Sequence, residues 1–335
     1  MGLHQLLDPG YRCRRYIVFE QGIHAPKFRL FCTFVSEHFP KYNSMKRSIE
    51  RVISPRPIHF VGDGFRVQNF IPSTHGLEMK RMDPFIFLDY NEPHFFEPTS
   101  TPRGVDVHPH RGFETVTVAF QGKVAHHDSA GNSGIVSPGG VQWMTAASGV
   151  LHKEYHEEGF ARAGGIFHMA QLWVNLPAKN KMDPPSYQGL DAQDIPSVSL
   201  PYGGQLHVIA GEFHGVKGGA TTHSPMHLYR IELPQGSSAD IQLPMHFNTA
   251  FLVLSGSVHV SGLEDSSAPE GHFVLMDNDG TDFSIQAAQN AHLLLLSGEP
   301  LNEPIAASGP FVMNHRHELQ EAMQDFYAGK FGQLD

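Results

Sequence analysis

Cysteine is almost missing from this chain: Cys13 and Cys32 are the only two in 335 residues, and both precede the bulk of the sequence. A disulfide framework in the folded body is thereby excluded. Long apolar runs are missing as well. No uninterrupted stretch approaches the ~18 residues of a membrane span, and the N-terminus lacks the apolar core of a secretory signal. The expected protein is therefore soluble and not membrane-bound, cytoplasmic or, in a eukaryote, also nuclear. Basic charge is in deficit, with 24 Lys and Arg against 34 Asp and Glu and a formal net charge of -10. Such a balance repels a polyanion and argues against direct nucleic-acid binding through a broad basic face.

What is present points to strands. Hydrophobic residues make up 40% and charged residues 17%, with 33 Gly and 24 Pro. That composition can bury cores while breaking the chain often, so the expected class is all-β. At ~150 residues per domain the length suits two such domains. From Ile58 onward short strands alternate with turns. Thr115 to Phe120, then Gln121-Gly122, then Lys123-Val124 reads as a hairpin, and Leu252-Val253-Leu254, Ser255-Gly256, Ser257-Val258 repeats it 134 positions later. A second echo links Pro138-Gly139-Gly140 running to Met144 with Pro269-Glu270-Gly271 running to Met276, at offsets of 131 and 132.

These signals divide the chain into four parts. Residues 1–44 are locally basic and aperiodic and are expected to form an extension, disordered or a mis-assigned start, with Met45-Lys46-Arg47 as a natural beginning. Residues 45–180 and 203–335 hold the two β units, and 181–202, rich in Pro, Asp, Gln and Ser, form a linker or crossover. One helix is expected near the C-terminus, where Leu319, Ala322, Met323 and Phe326 fall at helical spacing between Asn314 and Gly329. Its apolar stripe should pack against a barrel.

Twenty-three histidines, unclustered, are the chemical signal, because neutral imidazole is the commonest side-chain ligand for transition metals. In Val107-His108-Pro109-His110-Arg111 the two imidazoles sit two apart, so on a strand they face one side and can share an ion. Forty-two positions after His110, His152 and Glu154 are again two apart, with Lys153 turned outward between them. Two ligand pairs on two strands would close one site from His108, His110, His152 and Glu154. Three imidazoles and a carboxylate suit Fe(II), Mn, Co, Ni, Cu or Zn. No cysteine lies near the ligands, which disfavours a thiolate-bound structural zinc.

The chain here resembles the pirin family of the cupin superfamily. The likeness is carried by His108-Pro109-His110-Arg111-Gly112-Phe113-Glu114-Thr115, Asp128-Ser129-Ala130-Gly131, Gln142-Trp143-Met144-Thr145, Gly149-Val150-Leu151-His152 and Gly309-Pro310-Phe311-Val312-Met313-Asn314. It extends over about residues 50 to 332. The resemblance implies a bicupin, two β-barrel (jelly-roll) domains with a short C-terminal helix. It implies one divalent transition metal per chain, Fe(II) ahead of Mn, Co, Ni, Cu or Zn, held only in the N-terminal barrel with a coordination position left open. In cupins generally a Glu four residues after the second His is often a ligand, which keeps Glu114 in view. The pirin pattern assigns the carboxylate to Glu154, leaving Glu114 to accept an imidazole N–H. Arg111 either steadies a carboxylate or lies on the surface, and Trp143 and Met144 pack the barrel.

By the same resemblance the protein is expected to act as a quercetin 2,3-dioxygenase. A small aromatic polyphenol and oxygen would meet at the metal, with Glu154 or Glu114 taking the flavonol hydroxyl proton. The alternative is an iron-binding, redox-responsive transcriptional cofactor acting through a protein partner, and a third reading gives the metal a structural role alone. Carrying the ligand positions forward by the repeat offsets lands on Gln242, Pro244 and the stretch Phe283 to Gln286, none of them ligands. His246, His259, His272 and His292 stand alone, so a metal-free second barrel is expected.

Overall fold

The computed structural model describes residues 12–20, 27–35, 45–72, 77–260 and 267–334. The chain falls into two compact units, Met1–Ser44 and Met45–Asp335. In the first, strands Arg12–Glu20 and Lys27–Val35 pair antiparallel, Arg12 opposite Val35. The reading of residues 1–44 as an extension otherwise lies outside the described residues.

The second unit is two β-barrels. Seven strands of the first barrel build the site: β1 (Phe85–Phe96), β2 (Gly104–His110), β3 (Phe113–Gln121), β4 (Val124–Asp128), β5 (Val141–Thr145), β6 (Val150–His156) and β7 (Gly165–Asn175). Strands β5, β3, β7 and β1 lie side by side in a seven-stranded sheet, with Ser186–Leu190 at one edge and Phe65–Ile71 then His59–Val61 at the other. Strands β4, β6 and β2 follow Ser133–Val136 in a four-stranded sheet. The second barrel repeats the plan with a seven-stranded and a four-stranded sheet. The all-β bicupin architecture expected from the sequence is thus the one observed.

Alternation along the strands explains how the barrels are filled. In the second barrel Phe251, Val253, Leu293 and Leu295 pack its interior. Their neighbours Leu252, Leu254, Leu294 and Leu296 join a separate cluster with Val116, Leu172 and Trp143 of the first barrel. A sheet buried on both faces needs apolar residues at every position, which is why these strands read as unbroken apolar runs. The first barrel's large sheet is apolar toward that shared cluster and over part of its other face, where Phe65, Val67, Ala119, Phe167 and Met169 pack with Val124 and Val136 of the small sheet. The rest of that inner face carries buried polar side chains, among them Thr117, Gln142 and Asp89, and the site is built there.

Several local expectations change. The apparent hairpins at Gly122 and Gly256 are corners: β3 and β4 lie in different sheets, as do Asn248–Ser255 and Ser257–Val260. Both glycines hold positive φ, +78° and +76°, so the Xaa-Gly signal was correctly read as a tight turn while the pairing partner was not. The second echo is also physical, since Gly139 N–H donates to Ala119 O and Gly271 N–H to Val253 O, each at 2.8 Å. The 181–202 segment is no free linker, because Ser186–Leu190 pairs with β5 and Ser197–Ser199 with Gln205–Ala210. Ile49–Ile53 opens the stretch read as the first barrel but pairs with Phe273–Met276 in the second.

The C-terminal helix spans Arg316–Tyr327, and the carboxylate of Glu318 in its first turn accepts from the preceding Asn314 and His315 N–H groups at 3.0 and 2.7 Å. Ala322 is buried and Leu319 and Phe326 pack beside Phe311 and Phe331, whereas Met323, expected in the stripe, is 37% exposed. Two shorter helices, Met79–Met82 and Glu158–Ala163, carried no clear sequence signal. No helix among the described residues is long and apolar enough to cross a membrane.

Candidate metal centre

Strands β2 and β6 lie antiparallel with His108 opposite His152 and His110 opposite Val150. This register gathers three imidazoles. The ring centres of His108 and His110 are 4.8 Å apart, those of His108 and His152 4.2 Å, and those of His110 and His152 4.7 Å. One nitrogen from each of the three lies within 4.8 Å of the others. A second group overlaps the first: His126, His152 and Glu154 meet the same limit. His152 is common to both. Among the described residues these are the two places where three or more such side chains converge, and both are in the first barrel.

Each donor is held in a ligating state. His108 Nδ1 lies 2.8 Å from Asp106 O and His110 Nδ1 lies 3.4 Å from Pro310 O. A carbonyl only accepts, so in both rings Nδ1 carries a hydrogen, and Nε2 is the nitrogen left to face a metal. Burial, and then the neighbouring imidazoles, hold the His110 and His152 pKa values well below the ordinary histidine value, so both rings stay neutral. His152 is wholly buried, yet neither of its nitrogens has a hydrogen-bond partner. An imidazole orphaned in this way beside two others fits a metal ion as the missing partner.

Glu154 has its own cradle. Its Oε1 accepts from Thr117 Oγ1 and Gln142 Nε2, both at 3.3 Å, and its Oε2 accepts from Gln171 Nε2 at 2.7 Å. The supports come from one row across the large sheet. Gln142 is opposite Thr117, Thr117 opposite Gln171, Gln171 opposite Asp89, and Asp89 opposite Asn69. None of these was visible as a site residue, because each shows its role only once four strand registers are known. His126 was missed for the same reason: it stands opposite Glu154 across β4 and β6. Its Nε2 faces Asp128 Oδ2 at 3.3 Å and its ring stacks on Tyr187.

Glu114 is fully buried but is not in either donor group. Its Oε1 accepts from Thr145 Oγ1 at 2.7 Å and from His223 Nδ1 at 3.0 Å. It does accept an imidazole N–H, though from His223 of the second barrel and not from one of the gathered histidines. Arg111 steadies a carboxylate, Asp325 at 3.0 Å, while bonding Ser148 O and lying over the Phe331 ring; at 4% exposure it is no surface residue.

The donors open onto a cavity of about 290 Å³. Its lining includes His108, His110 and Glu154, the aromatic Phe65, Phe87 and Trp173, and the polar Asp89 and Asn91. Glu114 does not line it. Burial pushes the Asp89 carboxyl up to about 6, against a hydrogen bond from Asn69 that works the other way. A folded-state pKa above the ordinary aspartate value means that the folded protein binds this proton more tightly. The associated stability is present at low pH and lost as pH rises through about 6. Asp89→Asn should therefore stabilise the protein more at pH 8 than at pH 4, with about 3 kcal/mol as the full difference. Urea melts of both proteins at the two pH values check this, and an equal gain at both would refute it.

Comparison with known proteins follows the same lines. A family model described as Pirin matches residues 64–174, and one described as Pirin C-terminal cupin domain matches residues 228–332. A Pseudomonas aeruginosa protein named as a candidate quercetin 2,3-dioxygenase is 48% identical over 275 residues, covering 82% of this chain and 94% of the relative. The crystal structure of a quercetin 2,3-dioxygenase from Acinetobacter baumannii superposes with a TM-score of 0.82 at 43% identity, covering 87% of this chain and all of that one. A bacterial pirin from Escherichia coli in complex with nickel(II) shares the fold at 21% identity, with a TM-score of 0.56 over 75% of this chain and 99% of that one.

Proposed function

The chain belongs to the pirin family, and from that premise we propose that it is an iron-dependent oxygenase that opens the ring of flavonols such as quercetin with loss of carbon monoxide. The observation that carries the reading is the orphaned, buried His152 imidazole beside His108 and His110, with His108, His110 and Glu154 lining the cavity. Those four residues would hold the metal, with Thr117, Gln142 and Gln171 fixing Glu154 by hydrogen bonds and the His126 ring packed beside His152. A bound divalent transition metal supplies Lewis acidity and one-electron chemistry.

The protein's own residues do the rest. Phe87 stacks on Trp173 with ring centres 4.4 Å apart and Trp173 stacks in turn on Phe113 at 4.3 Å, which gives the cavity a rigid aromatic wall against which an aromatic ligand can pack. Two carboxylates line the cavity, and Glu154 rather than Asp89 is the one grouped with the imidazoles, so it takes the proton of the flavonol 3-hydroxyl when that oxygen turns to them. Glu114, engaged by Thr145 and His223 and away from the cavity lining, acts as a structural acceptor. A redox-responsive regulator needs a surface that reports the metal's state, whereas the feature built here is an internal aromatic cavity, and that favours the enzyme.

The test is quercetin consumption under oxygen by protein loaded with one iron per chain. One carbon monoxide should be released for each flavonol consumed. Glu154→Gln should lower the rate by at least about 100-fold. Loaded protein that consumes no flavonol would move the assignment to the regulator.

A further inference from the structure

We propose that Asn91, with Asp89 beside it, is the selective end of this cavity and binds a hydroxyl on the pendant ring of the flavonol. The inference rests on the function proposed above and names what that site chooses among flavonols.

Asn91 is 1% exposed, and neither its side-chain oxygen nor its side-chain nitrogen has a hydrogen-bond partner. A buried amide without partners is costly, and such groups in folded proteins ordinarily serve something. Asn91 lines the cavity on the same face of β1 as Phe87 and Asp89. Its amide therefore places unpaired N–H donors and an unpaired acceptor oxygen in the wall of an otherwise largely apolar space. Asp89 adds a carboxyl whose Oδ1 already accepts from Asn69 Nδ2 at 3.0 Å. Keeping a carboxyl there against the effect of burial is a further sign of use.

Position decides which part of a ligand reaches Asn91. Gln171, which holds Glu154, is opposite Asp89, and Asn91 lies two residues further along β1, opposite Met169. A strand spacing of ~4.8 Å and a two-residue repeat of ~6.8 Å put the Asn91 backbone roughly 8 Å from that of Gln171. A ligand whose 3-hydroxyl and carbonyl oxygens face the donor end reaches Asn91 only with a remote ring. The pendant ring, joined by a single bond, can turn its hydroxyls to the amide. A phenolic hydroxyl both donates and accepts, as the Asn91 side chain does. A site built to hydrogen-bond a hydroxyl discriminates strongly against the analogue that lacks it, because its own polar groups are then left unpaired.

The experiment is anaerobic titration of the iron-loaded protein with quercetin and with galangin, which lacks both pendant-ring hydroxyls and is otherwise identical. The wild-type protein should bind quercetin at least about tenfold more tightly. Asn91→Leu, with its iron content checked, should lose that preference, the ratio of the two affinities falling to about one. Asn91→Ala reads the same loss if the leucine variant does not fold. Equal wild-type affinities, or a preference that survives in the variant, would overturn the inference and leave the flavonol reading standing. Failure to bind either compound would remove both.

Discussion

His152→Ala should strip the metal from the protein and abolish flavonol consumption, with metal affinity lowered by at least about 100-fold. His152 is the residue shared by the two overlapping donor groups. Without it, His108 and His110 remain on one side and His126 and Glu154 on the other. Apart from the metal it contributes little that the fold needs, since neither ring nitrogen bonds to any other part of the protein. The stability of the metal-free variant should therefore fall only by the packing lost with the ring. The loaded wild-type protein should gain stability with metal concentration in a way that the variant does not. Elemental analysis after dialysis, with His246→Ala as the comparison, decides the matter. His246 is exposed and its Nε2 lies 3.5 Å from Glu299, so its loss should leave metal content unchanged. Equal metal loss in both variants would refute the assignment.

How much of this was legible in the sequence can be judged from particular residues. Spacing two apart in His108-Pro109-His110 and in His152-Lys153-Glu154 was enough to bring out four residues that fall in the two donor groups sharing His152, because strand parity is a local property. The supports of those residues are not local. Gln142, Thr117, Gln171 and Asp89 are ordinary polar residues on four separate strands, and they become one row only through β5, β3, β7 and β1 pairing in that order. The same limit explains the corners at Gly122 and Gly256. An Xaa-Gly step between apolar strands announces a reversal, but not whether the chain returns in its own sheet or crosses to the other. Barrel closure, a long-range property, makes that choice. The burial of Arg111 was hidden because its partner, Asp325, is more than 200 residues away in the C-terminal helix.

That C-terminal contact leads to the second large effect, expected at Lys181. Its ammonium is 2% exposed as a residue and donates to Gly112 O at 2.6 Å, Asn175 Oδ1 at 2.7 Å and Val312 O at 3.0 Å. Gly112 follows directly on the His110-Arg111 ligand segment. Val312 belongs to the segment whose Pro310 carbonyl accepts from His110 Nδ1. Lys181 thus clips the carbonyl that orients a ligand to the strand that carries the ligand. Lys181→Met keeps the length of the side chain but leaves three buried acceptors without a donor. The expected loss of stability is about 2 kcal/mol at pH 7, the cost of the unpaired acceptors exceeding the relief of removing a buried charge. Metal affinity should fall by about tenfold as the Pro310 carbonyl loosens.

The pH dependence tests the cause. Burial pushes the Lys181 pKa down to about 8, below the ordinary lysine value of 10.5. The unfolded chain then binds this proton more tightly than the folded one, so the wild-type protein gains stability from this group as pH rises from about 8 toward 10.5. The methionine variant has no such gain. The stability gap between the two proteins should widen by about 2 kcal/mol between pH 7 and pH 9.5. Urea midpoints at the two pH values measure it. A gap that stays constant would mean that Lys181 is not held as a buried ammonium, and a gap that closes would reverse the sign of its coupling to the fold.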